Sequence, residues 1–145
     1  MMKSALERIV VAVALFGFFA GPAWADSMLS MTRADGKTVQ GTSTEWTDGV
    51  QTFRGVAFDL LFDTYGLNAE TVRVSALNDY SVMVPANVLR EDGAILAYHL
   101  NGGEMSVREK GPFWVIFPYD ADEQFQTDTY WAYSVWQVKS VDAAN

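Results

Sequence analysis

Cysteine is absent from the 145 residues, and that one gap removes several chemistries together. No disulfide can staple the fold, no thiolate can bind a metal, and no cysteine nucleophile or redox pair exists. Histidine occurs once, at His99, so a His-rich metal site or a Ser-His-Asp triad would need that residue and further partners. His99 lies in a strand-like run, 95–100, where a structural role is the simpler reading. Cations are scarce as well, ten Lys and Arg against eighteen Asp and Glu, for a net charge of −8. A balance that acidic repels nucleic acid and anionic lipid over a Debye length, which argues against either as the main partner. Zinc-hydrolase spacing, a G-x-x-x-x-G-K phosphate loop and a G-x-S-x-G elbow are all missing from the chain, which disfavours conventional hydrolases and nucleotide enzymes.

What is there begins with an ordered amino end. Lys3 and Arg8 precede an apolar run over 9–20, then Gly21-Pro22, then Ala23-Trp24-Ala25 before Asp26. Charged, greasy and small residues in that order form a secretory signal, and the run falls short of the roughly 20 residues that cross a bilayer as a helix. The expectation is a leader over 1–25, cleaved after Ala25, and an exported domain over 26–145. Loss of Lys3, Glu7 and Arg8 with the leader would take the net charge from −8 to −9. A chain of that size suits one domain with one core and no linker.

Turn residues and hydrophobic periodicity divide the rest. Ala34-Asp35-Gly36 predicts a hairpin turn between 28–32 and 37–42. Residues 45–51 read as a loop around a lone Trp46. Apolar positions over 56–65 suit a buried helix, with Gly66 placed as its left-handed cap. Strands are expected over 71–77 and 80–84 about an Asn78-Asp79 turn, with a helical turn over 86–90 started by Pro85. Further strands are expected over 94–100, 105–107 and 113–117. An acidic loop over 118–129 then leads to an alternating strand over 130–141. The fold class is α+β, mostly β, in a single domain.

Aromatic and polar residues at loop positions are the candidates for function. Trp46 sits among Glu45, Thr47, Asp48 and Gly49, a poor place for a purely structural indole. Asn78, Asp79, Tyr80, Arg108, Glu109, Tyr119, Ser134 and Trp136 add donors, acceptors and ring faces at strand ends. Such a set suits a flat ligand stacked on an aromatic face and hydrogen-bonded along its edge. Each also has a plainer reading: Asn78-Asp79 as turn formers, Arg108 and Glu109 as a solvated pair, Trp136 as core.

The order of Thr47-Asp48-Gly49-Val50, Phe53-Arg54-Gly55-Val56, Leu77-Asn78-Asp79-Tyr80 and the run from Leu100-Asn101-Gly102-Gly103-Glu104 to Gly111-Pro112 resembles the molybdopterin-binding domain of the sulfite oxidase superfamily, in its small exported branch. The likeness covers about 38–141. It implies the sulfite oxidase-type fold, with Phe53 to Val56 leading into the first helix, Asn101 to Pro112 as hairpin and Gly-Pro strand, and Tyr133-Ser134-Val135-Trp136 as the cofactor-contacting segment. Two departures bear on activity. Where the enzymes carry a metal-binding cysteine, this chain offers Ser43 and Thr44 near Trp46, and a neutral hydroxyl replaces a thiolate poorly. Where they carry Arg and Lys in the contacting segment, it has Tyr133 and Trp136.

Fewer cations and more rings imply a free pterin rather than a phosphorylated metal cofactor, with no metal. Some members of the branch look like periplasmic pterin-binding proteins that signal to a membrane enzyme of cyclic-di-GMP turnover. The resemblance therefore implies a non-catalytic pterin-binding protein of the periplasm, whose partner is the periplasmic domain of a membrane signalling protein. Its ligand would use Trp46 and Trp136 as stacking faces, with Arg54, Asn78, Asp79, Tyr80, Arg108, Glu109, Tyr119 and Ser134 around the ring. Two alternatives remain open at this point: a molybdopterin oxidoreductase that holds metal only through the cofactor's dithiolene, and an interaction module with no small ligand.

Overall fold

Thr71-Val72-Arg73-Val74-Ser75-Ala76 is the cleanest alternation in the chain, and its burial follows suit: Val72, Val74 and Ala76 are buried while Arg73 is exposed. The computed structural model describes Arg8–Ile9 and residues 37–144. Its strands are β1 (Arg8–Ile9), β2 (Lys37–Thr42), β3 (Gln51–Ala57), β4 (Thr71–Ala76), β5 (Ser81–Pro85), β6 (Ile95–Leu100), β7 (Gly103–Glu104), β8 (Trp114–Ile116) and β9 (Val138–Ala143). Among the described residues three short helices interrupt them: α1 (Phe58–Tyr65), α2 (Ala86–Glu91) and α3 (Asp128–Tyr133). Single 3-10 turns lie at Val107–Glu109, Tyr119–Ala121 and Glu123–Phe125.

All pairings among the described residues are antiparallel. One sheet runs β1-β9-β4-β5; the other runs β2-β3-β6-β7, with β8 also paired to β6. A single hydrophobic cluster draws Phe53 and Val56 from one sheet, Val72, Val74, Val138 and Val141 from the other, Phe58, Leu61 and Phe62 from α1, and Leu89 from α2. With no cysteine to help, this packing carries the stability, each fully buried large side chain contributing roughly 1.5–3 kcal/mol. The chain is thus a mixed α/β domain with more strand than helix.

Particular residues set the joints. Gly66 ends α1 at φ 67°, the left-handed conformation expected of it, and its N–H bonds back to Asp63 O. Pro85 precedes α2 as its N-cap. At Gly55 the strands come so close that a Cβ would lie 2.2 Å from Leu96 O, so only glycine fits beside β6. The register shifts at Arg54/Gly55.

Three expectations are corrected. Residues 51–57 form β3, so the helix starts two residues later than expected. Residues 105–107 give no strand; the hairpin closes through the two-residue β7, and a 3-10 turn follows. The segment 130–141 is not one strand but α3 followed by β9; six of the seven residues over 130–136 are aromatic or apolar, so period 2 could not be told there from period 3.6. The leader over 1–25 and the hairpin arm over 28–36 lie outside the described residues, apart from the two-residue β1.

Candidate functional site

Four segments meet at one hollow of about 310 Å³. The β2–β3 loop supplies Trp46, the β4–β5 turn supplies Asn78 and Tyr80 beside Ala76, α3 supplies Trp131 and Ala132, and the stretch into β9 supplies Ser134, Val135 and Trp136. Its size lies in the range typical of small-molecule sites, roughly 300–1,000 Å³.

Trp46 reaches this hollow because its loop is wired to itself and to its neighbour. Thr44 Oγ1 accepts the Trp46 N–H at 3.0 Å and pairs with Thr47 Oγ1 at 2.8 Å. Ser43 donates its N–H (2.8 Å) and its hydroxyl (2.5 Å) to the Asp120 carboxylate, and the Asp120 N–H bonds Thr42 Oγ1. The indole so placed meets Trp131 and Trp136 edge-on, both at 5.2 Å between ring centroids and at 83° and 75°, and lies 5.9 Å from Trp114. Edge-to-face contacts of this kind are favoured by the ring quadrupole. Every tryptophan of the described residues is therefore in one cluster.

The floor is polar but satisfied from within. Ser134 follows α3 and donates its hydroxyl to Tyr130 O, four residues back, at 2.7 Å. That is a familiar habit of serine at a helix end. Its Oγ also lies 2.5 Å from Tyr119 OH. Tyr119 is fully buried, lies 4.5 Å from Trp131 between ring centroids at a tilt of 36°, and burial pushes its phenol well above the usual range, so it keeps its proton. Trp114 Nε1–H donates to Ser134 O at 3.3 Å, and Val115 N–H to Val135 O at 2.9 Å, which locks the lining segment to β8.

Gln137 ties the remaining pieces. It stands at φ 54°; its N–H bonds Lys110 O (2.9 Å), its carbonyl accepts Leu77 N–H (2.9 Å), and its side-chain amide donates to Val107 O (2.7 Å). Lys110 in turn lays its ammonium 4.6 Å from the Trp136 ring centroid and 5.8 Å from Trp114. Trp136 is held by a cation and a turn rather than by depth alone.

Of the ten residues singled out from sequence, the fold brings Trp46, Asn78, Tyr80, Ser134 and Trp136 to the hollow. Tyr119 lies directly beneath, as Ser134's partner. Asp79 sits in the same turn, but its exposed carboxylate is held by Lys139 at 2.8 Å; that hydrogen bond and charge keep it below the usual carboxylate range. Arg108 and Glu109 lie exposed on the 3-10 turn, where Glu109 accepts from Ser106. Arg54 is exposed on β3 opposite His99. Neither Arg54, Arg108 nor Glu109 lines the hollow. Sequence reading passed over Trp131 and Gln137. Trp131 was hidden in a stretch read as a strand, and nothing local marks Gln137 as a junction.

Ser43, where the resemblance would put a metal-binding cysteine, spends both its donors on Asp120, and among the described residues no set of three or more His, Asp or Glu could hold an ion. No helix among the described residues is long and apolar enough to cross a membrane. A second hollow, lined by Glu70, Asn87 and Arg90 among others, has its cation engaged by Asp59 and Asp63 at 2.8 and 3.0 Å. Compared with known proteins, the chain matches no family model and no curated protein.

Proposed function

We propose that this is an exported, non-catalytic pterin-binding protein with the sulfite oxidase-type fold, which reports on its ligand to the periplasmic domain of a membrane-bound enzyme of cyclic-di-GMP turnover. The observation that supports the ligand is the hollow where Trp46, Trp131 and Trp136 converge above Ser134. Aromatic walls with a few hydrogen-bonding groups match a flat heterocycle that is apolar on its faces and polar on its edge. Among the described residues the lining contains neither a cation nor a carboxylate, so a neutral ring suits it better than a phosphorylated one. The partner rests on the resemblance alone.

Pterin fluorescence provides the test. Titration of the protein with a reduced and an oxidised pterin should give saturable binding at one ligand per chain. Trp46→Ala should weaken it on the order of 30-fold, the scale at which a central aromatic anchor contributes. Binding that is undiminished in Trp46→Ala would place the ligand elsewhere. Stoichiometric molybdenum and electron transfer in protein from its native host would overturn the non-catalytic reading.

A further inference from the structure

Ser134 has one proton, and two neighbours inside the protein compete for it. Tyr130 O can only accept, and it lies 2.7 Å from Ser134 Oγ. Tyr119 OH lies 2.5 Å away and is buried with its proton retained. The arrangement that satisfies all three groups has Tyr119 donating to Ser134 and Ser134 donating to Tyr130 O. Were the first bond reversed, the serine proton would still point into the protein. In either case the hydroxyl has only a lone pair to offer a ligand.

Asn78 has the opposite surplus. Its Oδ1 accepts the Tyr80 N–H at 3.1 Å, while its amide NH₂ has no partner among the described residues and remains a donor. The hollow thus carries an acceptor at Ser134 and a donor at Asn78. Ser134 is only 1% exposed and Asn78 lies in the exposed turn, so the acceptor is the deep group and the donor stands at the mouth.

Building on the pterin reading above, we infer that this fixed polarity makes Ser134 a specificity-determining residue: it selects a ring whose projecting edge group is an amine and rejects the isostere with a carbonyl at that position. A carbonyl there would set oxygen against oxygen with no proton between them. Sites built to pair a particular polar group discriminate strongly, because the wrong ligand leaves buried groups unpaired. Tyr119 acts through Ser134 as a positioning residue.

Pterin and lumazine make the comparison, since they differ by an amine or a carbonyl at ring position 2. The full mature chain should bind pterin at least tenfold more tightly than lumazine in the same fluorescence titration. Ser134→Ala, checked for folding by its thermal midpoint, should bring the two within threefold by weakening pterin. Tyr119→Phe should keep the preference for pterin, because Tyr130 O still holds the serine proton. Equal or tighter binding of lumazine by the unaltered protein overturns the inference and leaves the pterin reading standing. Failure of both to bind at millimolar concentration overturns that reading and the inference with it. The ligand ratio in the unaltered protein decides the matter even if Ser134→Ala does not fold.

Discussion

Trp46 and Trp136 differ in how they are held, and the difference sets what each substitution should do. Trp46 depends on hydrogen bonds within an eight-residue loop, 43–50, and on edge contacts to other indoles. Trp136 depends on Lys110 and on the backbone of Gln137. Replacing Lys110 by Met should cost about 0.5–1 kcal/mol of stability, the usual worth of a partly exposed cation–π contact, and should change the tryptophan emission of the ligand-free protein; Lys110→Arg should restore both. Tyr98 offers a prediction of opposite sign. Its hydroxyl is buried with no hydrogen-bond partner among the described residues, so Tyr98→Phe should leave the protein equally stable or raise stability by about 1 kcal/mol in urea unfolding. A clear loss would overturn this and show the hydroxyl to be hydrogen-bonded.

Elements were legible where one residue type leaves a single option. Gly66 as a cap, Pro85 as a helix start and the β4 alternation were all readable from sequence, since each reflects a constraint acting within a few residues. Strand β3 was not. Gln51-Thr52-Phe53-Arg54-Gly55 has a weak pattern and a glycine, and it becomes a strand because β2 and β6 flank it on both sides. Gly55→Ala tests that pairing. With a Cβ set 2.2 Å from Leu96 O, the backbone must separate, and stability should fall by about 3 kcal/mol on the scale of an overpacked core. Substitution at Gly66, where a Cβ meets nothing within 4 Å, should cost only about 1 kcal/mol, the strain of a left-handed alanine. The contrast between the two, measured in one denaturant series, separates a packing glycine from a conformational one.

At the scale of the whole molecule, acidity and the absence of disulfides make stability depend on packing and on a few placed protons. Tyr130 is the useful reporter. Partial burial, and then the hydrogen bond to Asp92, push its phenol up to about 12. Its folded value exceeds the ordinary value of 10.0, so its contribution is complete below about pH 10 and is lost as pH rises through about 12. Unfolding midpoints should fall across that window, and Tyr130→Phe should flatten the fall. Asp79 works at the other end. Lys139 holds its carboxyl low, so what the pair contributes is present at neutral pH and lost as acid protonates the folded carboxylate. Because that pair is exposed, the acid-side effect should be slight and should shrink further in salt.

From the residues alone came the class of the fold, the lack of thiolate chemistry, most turns and caps, and five of the side chains that line the hollow, because composition and local backbone preference are fixed before the chain folds. Tertiary structure decided the rest. It turned 128–133 into a helix, so that Trp131 stands against Trp46 and Ser134 back-bonds to Tyr130. It also left Arg54, Arg108 and Glu109 on the outside, gave Asp79 to Lys139, and made Gln137 the tie between three segments. Those outcomes depend on which distant segments come to lie side by side, and hydrogen-bond partners 15 or 60 residues apart leave no trace in local periodicity.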